Sequence, residues 1–206
     1  KDSFLKNKGL IKTNTSCIKI NHKKGYVDSI KVSDSNGLIS EISATNFVLA
    51  AGAINSNVLL QKSHITNKSF IQFHLNLKIV AIFDKKINAE EGTMFTYQIQ
   101  EFSDEGTLFM PTNFTKEALL STINNFKLEY KKTIMNNYSN SGLYVCQIQP
   151  QSTGNINFLW NKPIISYFLS SDDKNRIIRG MKNLIKVLFA AGARELYLPT
   201  SNKNNR

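Results

Sequence analysis

The sequence has few cysteines and no long apolar run. Its two cysteines, Cys17 and Cys146, lie far apart, and no CxxC or Cys/His pair has the spacing of metal ligands. We therefore expect two buried free thiols rather than a disulfide, and no metal site. No stretch of about 18 apolar residues occurs, so no transmembrane helix is predicted.

The beginning of the chain lacks two features of a complete precursor. The first ten residues, KDSFLKNKGL, have no apolar core of a signal peptide, and the chain does not start with methionine. We expect from this that the native N-terminus is missing, and we take the cytoplasm as the default compartment. With 206 residues and 41% apolar content, the chain can bury a core in one large domain or two small ones.

Acidic residues are also scarce, with 15 Asp and Glu against 26 Lys and Arg and a net charge of +11. Such an excess is typical of nucleic-acid-binding proteins. The lysines are scattered, however, and few of the basic residues are arginines, the side chain best suited to bidentate phosphate and base contacts: Arg176, Arg179, Arg194 and Arg206. Asparagine is as abundant as lysine, which favours a codon bias over a polyanion partner. We expect no nucleic-acid partner, and a non-catalytic basic binding domain is the alternative function.

The most informative stretch is ATNFVLAAGAINSNVLLQKS, residues 44–63. Its apolar run at 47–50 predicts a strand, its three small residues at 51–53 predict a tight turn, and the apolar face at 58–60 predicts a helix. Glycine in such a turn allows a ligand to approach the backbone closely, and a helix N-terminus presents N–H groups that suit a phosphate. A packing role for Gly52 stays open at this point.

Other patterns predict an antiparallel α+β arrangement, because runs of strands are followed by helices. Alternating apolar residues predict strands near 15–20, 26–32, 38–43, 73–83, 93–102, 143–149, 154–159, 164–169 and 195–198. An interrupted helix is predicted at 114–135 and a long one at 171–191, with Ser170 or Ser171 as its N-cap and Gly192 at its end. Asp172 and Asp173 are explained better by helix capping than by an acid/base pair, and His74 is interpreted as structural.

Two stretches resemble the glucose-methanol-choline (GMC) family of FAD-dependent oxidoreductases. The first matches the family's second signature and departs from it at Asn57 and His64; its matching residues are Gly52, Ala53, Ser56, Leu59, Leu60 and Ser63. The second stretch is the segment 162–173, followed by a helix that ends in small residues. This stretch resembles part of the family's substrate domain. Residues 83–102 are similar to the branch that includes long-chain alcohol oxidases.

The resemblance implies a mixed α+β and α/β fold in two parts. Residues 1–66 would form part of an FAD-binding Rossmann-like domain, and residues 67–199 would form an antiparallel-sheet substrate domain with helices on one face. Residues 200–206 would be a tail. The complete protein would oxidise the CH–OH group of a small-molecule alcohol substrate to an aldehyde or ketone, with FAD as the cofactor and hydride acceptor.

The resemblance also implies where the cofactor would lie. The strand at Thr15, Ser16 and Cys17 is similar to the one that meets the adenine, although Thr15 and Ser16 could equally be ordinary strand residues. The turn at Ala51, Gly52 and Ala53 is similar to the turn that, in the family, lies close to the FAD diphosphate and ribose.

Two parts of the family pattern are missing from the sequence. It contains no GxGxxG fingerprint, and His22, His64 and His74 do not match the family's catalytic histidine. That histidine is expected beyond the C-terminus of this chain. We therefore expect an internal fragment of an enzyme, with no catalytic residue of its own and no activity alone.

Overall fold

A computed structural model describes residues 5–159 and 162–198. The described residues separate into two compact units, the first within Lys1–Ile71 and Thr153–Tyr167 and the second within Gln72–Ser152 and Phe168–Arg206. The chain thus divides at 71 and 72, later than the sequence boundary at 66 and 67, and residues 153–167 return to the first unit. The assignment of the two units to an FAD domain and a substrate domain stays a prediction.

The described residues form strands and helices in a mixed α+β order. The strands are β1 (Ser16–Lys23), β2 (Tyr26–Ser33), β3 (Ile39–Ser43), β4 (Phe70–Ile71), β5 (Leu75–Phe83), β6 (Thr107–Thr112), β7 (Ser141–Ile148), β8 (Gly154–Leu159), β9 (Lys162–Ser166) and β10 (Ala193–Tyr197). The α-helices are α1 (Gly52–Lys62), α2 (Lys116–Thr122), α3 (Leu128–Asn136) and α4 (Ser171–Ala190). None of the helices within the described ranges is long and apolar enough to cross a membrane.

The first unit contains two small antiparallel sheets. One has the strand order β1-β2-β3, and the other has the order β4-β8-β9. Helix α1 packs against β1. The three predicted strands before residue 44 and the pairing of the 154–159 segment with the next strand are confirmed, while part of the turn predicted at 160–163 lies outside the described residues.

The strand predicted at residues 47–50 is wrong. This segment is irregular, and the Val48 side chain is 91% exposed. A β-strand needs a neighbouring strand to bond its N–H and C=O groups, and the described residues place none beside this segment. The described part of the first unit has only antiparallel strand pairs, so the Rossmann-like character also stays a prediction.

The second unit is built on a four-stranded antiparallel sheet of order β10-β5-β7-β6. Alternate residues of β5 enter two different cores. Ile79, Ala81 and Phe83 pack with Leu184 and Leu188 of α4 on one face. On the other face, Val80 and Ile82 pack with apolar residues of α2 and α3: Leu119 and Ile134. The expectation of helices on one face is therefore wrong, because this sheet is covered on both faces.

The strand predicted at residues 93–102 is also wrong. This segment forms turns, Phe95 has a φ of +56°, and only Ile99 makes a bridge, to Phe109. The outer neighbour of β7 is instead β6, which was not predicted from the sequence and contains Pro111. Proline is tolerated there since β6 is the edge strand of the four-stranded sheet, and no described strand pairs with its outer side, which carries only the Ile99 bridge at Phe109.

The long helix was predicted correctly. Ser170 is its N-cap, and the Ser170 Oγ accepts a hydrogen bond from the Asp173 N–H at 3.0 Å. The helix ends before Gly192, which has a φ of +93°, a conformation that favours glycine. The interrupted helix at 114–135 is confirmed as α2 and α3.

Candidate functional site

The turn at Ala51, Gly52 and Ala53 leads directly into α1. Gly52 has a φ of +79°, and a Cβ built on it would meet no atom within 4 Å. Ala51 is the N-cap residue and provides no side-chain hydrogen bond, and the first turn of α1 has no acidic residue. The first N–H groups of α1 therefore have no side-chain cap, and open space lies in front of the turn.

An apolar cleft of about 520 Å³ lies in the first unit between the face of β1 and β2, the segment 47–51 and α1. Its lining contains no charged side chain: Cys17, Ile20, Val27, Ile30, Phe47, Val48, Leu49, Ala50, Ala51, Leu59, Leu60 and Ile65. Such a lining suits a flat apolar group rather than an ion.

The structure brings two of the six predicted cofactor residues to this cleft. Cys17 from β1 and Ala51 from the turn both line it. Gly52 and Ala53 are not among the lining residues and continue into α1. Neither Thr15 nor Ser16 lines the cleft, and the Thr15 hydroxyl donates a hydrogen bond to the Thr13 carbonyl at 3.0 Å.

Sequence patterns missed most of the apolar lining. Val27 and Ile30 belong to a predicted strand, but nothing in the sequence indicated that they face the segment 47–51 across an open space. The feature that could have indicated them is an apolar side chain on an exposed face of a sheet. This feature points to the cleft only once the position of α1 is known.

The two thiols lie in different environments. Cys146 is fully buried, as predicted, and burial raises its pKa to about 12. Cys17 is exposed, so the expectation that both thiols are buried is wrong for Cys17. Partial desolvation raises the pKa of Cys17 more than its hydrogen bond to the Lys19 carbonyl lowers it. The raised pKa favours the protonated thiol, which is a weaker nucleophile than the thiolate.

Ser63, a residue of the matched signature, joins the end of α1 to β1. Its side chain is buried, and its Oγ accepts a hydrogen bond from the Ile20 N–H at 2.8 Å. The Ser63 carbonyl also lies 3.1 Å from His22 Nε2. These contacts hold α1 beside the cleft, which gives this signature position a structural reason.

Asp173 in the second unit has a structural role. Its buried carboxylate accepts hydrogen bonds from the Gln151 N–H at 2.8 Å and from the N–H and hydroxyl of Ser152. Burial alone would raise the pKa of Asp173, but these hydrogen bonds lower it to about 2. A carboxyl group with such a low pKa is a poor proton donor or acceptor near neutrality, which disfavours an acid/base pair. The N-cap of α4 is Ser170, and the Asp173 carboxylate bonds the neighbouring loop.

Among the described residues, the three histidines form no catalytic arrangement. His74 is exposed just before β5, His64 is exposed after α1 with a φ of +58°, and His22 contacts the Ser63 carbonyl. Within the described ranges, no three His, Cys, Asp or Glu side chains are close enough to hold a metal ion.

Comparison with known proteins gives a similar curated protein and similar solved structures. No protein-family model matches the chain. The chain is similar to an uncharacterized GMC-type oxidoreductase of Sinorhizobium fredii, with 24% identity over 197 residues that cover 91% of the chain and 38% of the relative.

Two solved structures share the fold. Pyridoxine 4-oxidase from Mesorbium loti gives a TM-score of 0.55 at 14% identity, over 93% of this chain and 42% of that one. Formate oxidase gives a TM-score of 0.51 at 9% identity, over 89% of this chain and 45% of that one. The chain spans about two-fifths of the length of the relatives that it matches. The resemblance drawn from the two motifs is confirmed at this level: the chain is similar to a GMC-type oxidoreductase over 91% of its length.

Proposed function

We propose that this chain is part of an FAD-dependent oxidoreductase that acts on CH–OH groups. The observation that carries the proposal is the similarity to a GMC-type oxidoreductase over 91% of the chain. Unit 1 would contribute a wall to the FAD site, and unit 2 would contribute the substrate domain.

The residues present fit FAD in two places. The uncapped N–H groups at the start of α1, with no carboxylate in the first turn, suit the negative diphosphate. The cleft beside them, lined by Cys17 and Ala51 without any charged side chain, suits the flat adenine ring. Gly52, at positive φ with open space before it, would allow the cofactor to approach the backbone.

When bound, FAD would supply the hydride acceptor for the oxidation of an alcohol to a carbonyl. The proposed contribution of this chain is to bind and orient that cofactor through the turn at Gly52, with Ser63 holding α1 in place. A base for the hydroxyl proton is not proposed among His22, His64 and His74, since none of them matches the family's histidine.

The cofactor proposal is tested first by the flavin spectrum of the protein purified from the complete open reading frame that contains this sequence. We expect a bound flavin that survives gel filtration. A folded protein without flavin, which FAD cannot reconstitute, would contradict the proposal.

Two glycine variants test the position of the site. Gly52→Ala and Gly25→Ala place the same side chain at similar positive φ values, +79° and +83°, both in open space. Each should lose roughly 1 kcal/mol of stability from backbone strain. Only Gly52→Ala should weaken FAD binding, by roughly threefold to tenfold in a fluorescence titration. Equal losses in the two variants would remove Gly52 from the proposed site.

We further propose that the 206 residues alone do not oxidise alcohols, because the sequence lacks both the GxGxxG fingerprint and the matching histidine. The chain should show no turnover with FAD and an artificial electron acceptor. Turnover that persists at constant specific activity through purification would contradict this.

For the complete protein we propose the long-chain alcohol oxidase branch. The value of kcat/KM should then rise with the chain length of a primary alcohol substrate. Values that stay constant or fall with chain length would refute the branch.

A further inference from the structure

The second unit contains a polar groove that has no role in the proposed function. It has a volume of about 460 Å³ and is called the Arg176 groove after its only arginine. Its lining is mainly amide, hydroxyl and charged groups: Gln72, Ser103, Asp104, Gly106, Gln149, Pro150, Gln151 and Arg176. In small-molecule sites, a few convergent polar groups on a concave surface fix the orientation of the ligand.

The walls of the Arg176 groove are held in place by hydrogen bonds. The Gln72 amide donates to the Pro150 carbonyl at 2.6 Å, and the Gln149 N–H donates to the Gly106 carbonyl at 2.8 Å. The Gln151 N–H donates to the buried Asp173 carboxylate at 2.8 Å. The groove is therefore formed before any ligand arrives, which reduces the entropy that binding must overcome.

The guanidinium of Arg176 is positioned but not neutralised. Its Nη1 donates to the Glu105 carbonyl at 3.2 Å, while the Glu105 carboxylate pairs with Arg179 Nε at 2.9 Å. Among the described residues, no carboxylate lies within ion-pair distance of Arg176. Gly106 lies beside this guanidinium, since a Cβ built on it would be in van der Waals contact with Arg176 Nη1 at 3.5 Å.

We propose that the Arg176 groove binds a small monocarboxylate that also carries hydroxyl groups. A planar guanidinium with free N–H groups matches a carboxylate in a bidentate pair. The side-chain amides can bond hydroxyl groups as donors or acceptors. Asp104 on the same lining disfavours a doubly charged anion such as a phosphate monoester.

The probe is glycerate, titrated into the full chain by calorimetry, with glyceramide as the neutral analogue and phosphoglycerate as the more highly charged one. We expect glycerate to bind in the millimolar range and more tightly than either analogue. Preference for phosphoglycerate would overturn the assignment to a monocarboxylate. Absence of glycerate binding at tens of millimolar would overturn the site itself.

Two arginine variants on the same helix localise the binding. Arg176→Gln should weaken glycerate binding roughly tenfold. Arg179→Gln should leave it unchanged, since Arg179 is absent from the groove lining and faces Glu105. If Arg176→Gln does not fold, Arg176→Lys, which keeps the charge and loses the fork, should still weaken binding severalfold. Equal affinity in wild type and the folded Arg176 variant would overturn the proposal. Since these titrations need no flavin, they are independent of the FAD proposal.

Discussion

Asp173 shows how one buried carboxylate can hold a loop to a helix. Its folded-state pKa of about 2 lies below the ordinary value of 3.8, so its contribution to stability is complete above about pH 4. That contribution is lost as the pH falls from about 4 to about 2, because protonation removes the charge that the Gln151 and Ser152 N–H groups bond. Asp173→Asn should therefore lower the free energy of unfolding by roughly 1–3 kcal/mol at pH 7. Urea unfolding measured at several pH values would show it.

The control for this prediction is Asp172→Asn in the same turn of α4. Asp172 is exposed, so its replacement should change stability by no more than about 0.5 kcal/mol. The Asp173 variant should also lose less stability than wild type between pH 4 and pH 2. An unchanged acid dependence in Asp173→Asn would show that other groups dominate acid unfolding.

The candidate site was only partly predictable from its residues. The turn at Gly52 was visible, because glycine between alanines after an apolar run predicts a close-approach turn. The prediction of Cys17, which also lines the cleft, rested on the family resemblance rather than on any local pattern. Arg176 gave no signal at all, since the groove forms from segments that are distant in sequence, such as Gln72 and Gln149.

At the scale of elements, the correct predictions are those with strong local signals. Helix α4 has an N-cap serine, a regular apolar face and a glycine after its end, all within about 20 residues. The wrong predictions concern strands, whose existence depends on a neighbour. Residues 93–102 alternate as a strand should, but the edge beside β7 is occupied by β6. Pattern alone cannot decide which of two candidate segments takes that edge.

Helix α4 packs tightly against the sheet at Gly180. A Cβ at this position would lie 3.0 Å from Cys146 Sγ and 3.2 Å from Thr107 Cγ2, both in buried residues. Gly180→Val should therefore cost roughly 1–3 kcal/mol through overpacking, despite the better helix propensity of valine. Thermal and urea unfolding would measure this cost.

Lys182→Val provides the matched control on α4. Lys182 is exposed, so the same β-branched residue meets no packed neighbour there and should cost no more than about 0.5 kcal/mol. If Gly180→Val were as stable as Lys182→Val, the close approach of α4 to the sheet would be wrong.

At the scale of the whole molecule, the described residues divide into two compact units after residue 71. The domain boundary at 66 and 67, placed where a short polar segment follows α1, stays a prediction. The return of residues 153–167 to the first unit was not anticipated. It rests on the pairing of β8 with the two-residue β4 and on the Gln61 side chain, which donates to the Ile156 carbonyl at 2.9 Å. Contacts between residues so far apart in sequence leave no local pattern.

The net charge of +11 belongs to the whole chain, and its effect on nucleic-acid binding can be measured. We expect only weak binding to generic duplex DNA, because the lysines are scattered and two of the arginines are paired, Arg179 with Glu105 and Arg194 with Asp84. The affinity should fall shallowly with salt, since few phosphates would be contacted at once. Glutamine replacement of each lysine pair, 23–24, 85–86 or 131–132, should then lower affinity by a similar small factor, measured by fluorescence anisotropy. A steep salt dependence, with the loss concentrated in one pair, would instead identify a nucleic-acid footprint and favour the binding-domain alternative.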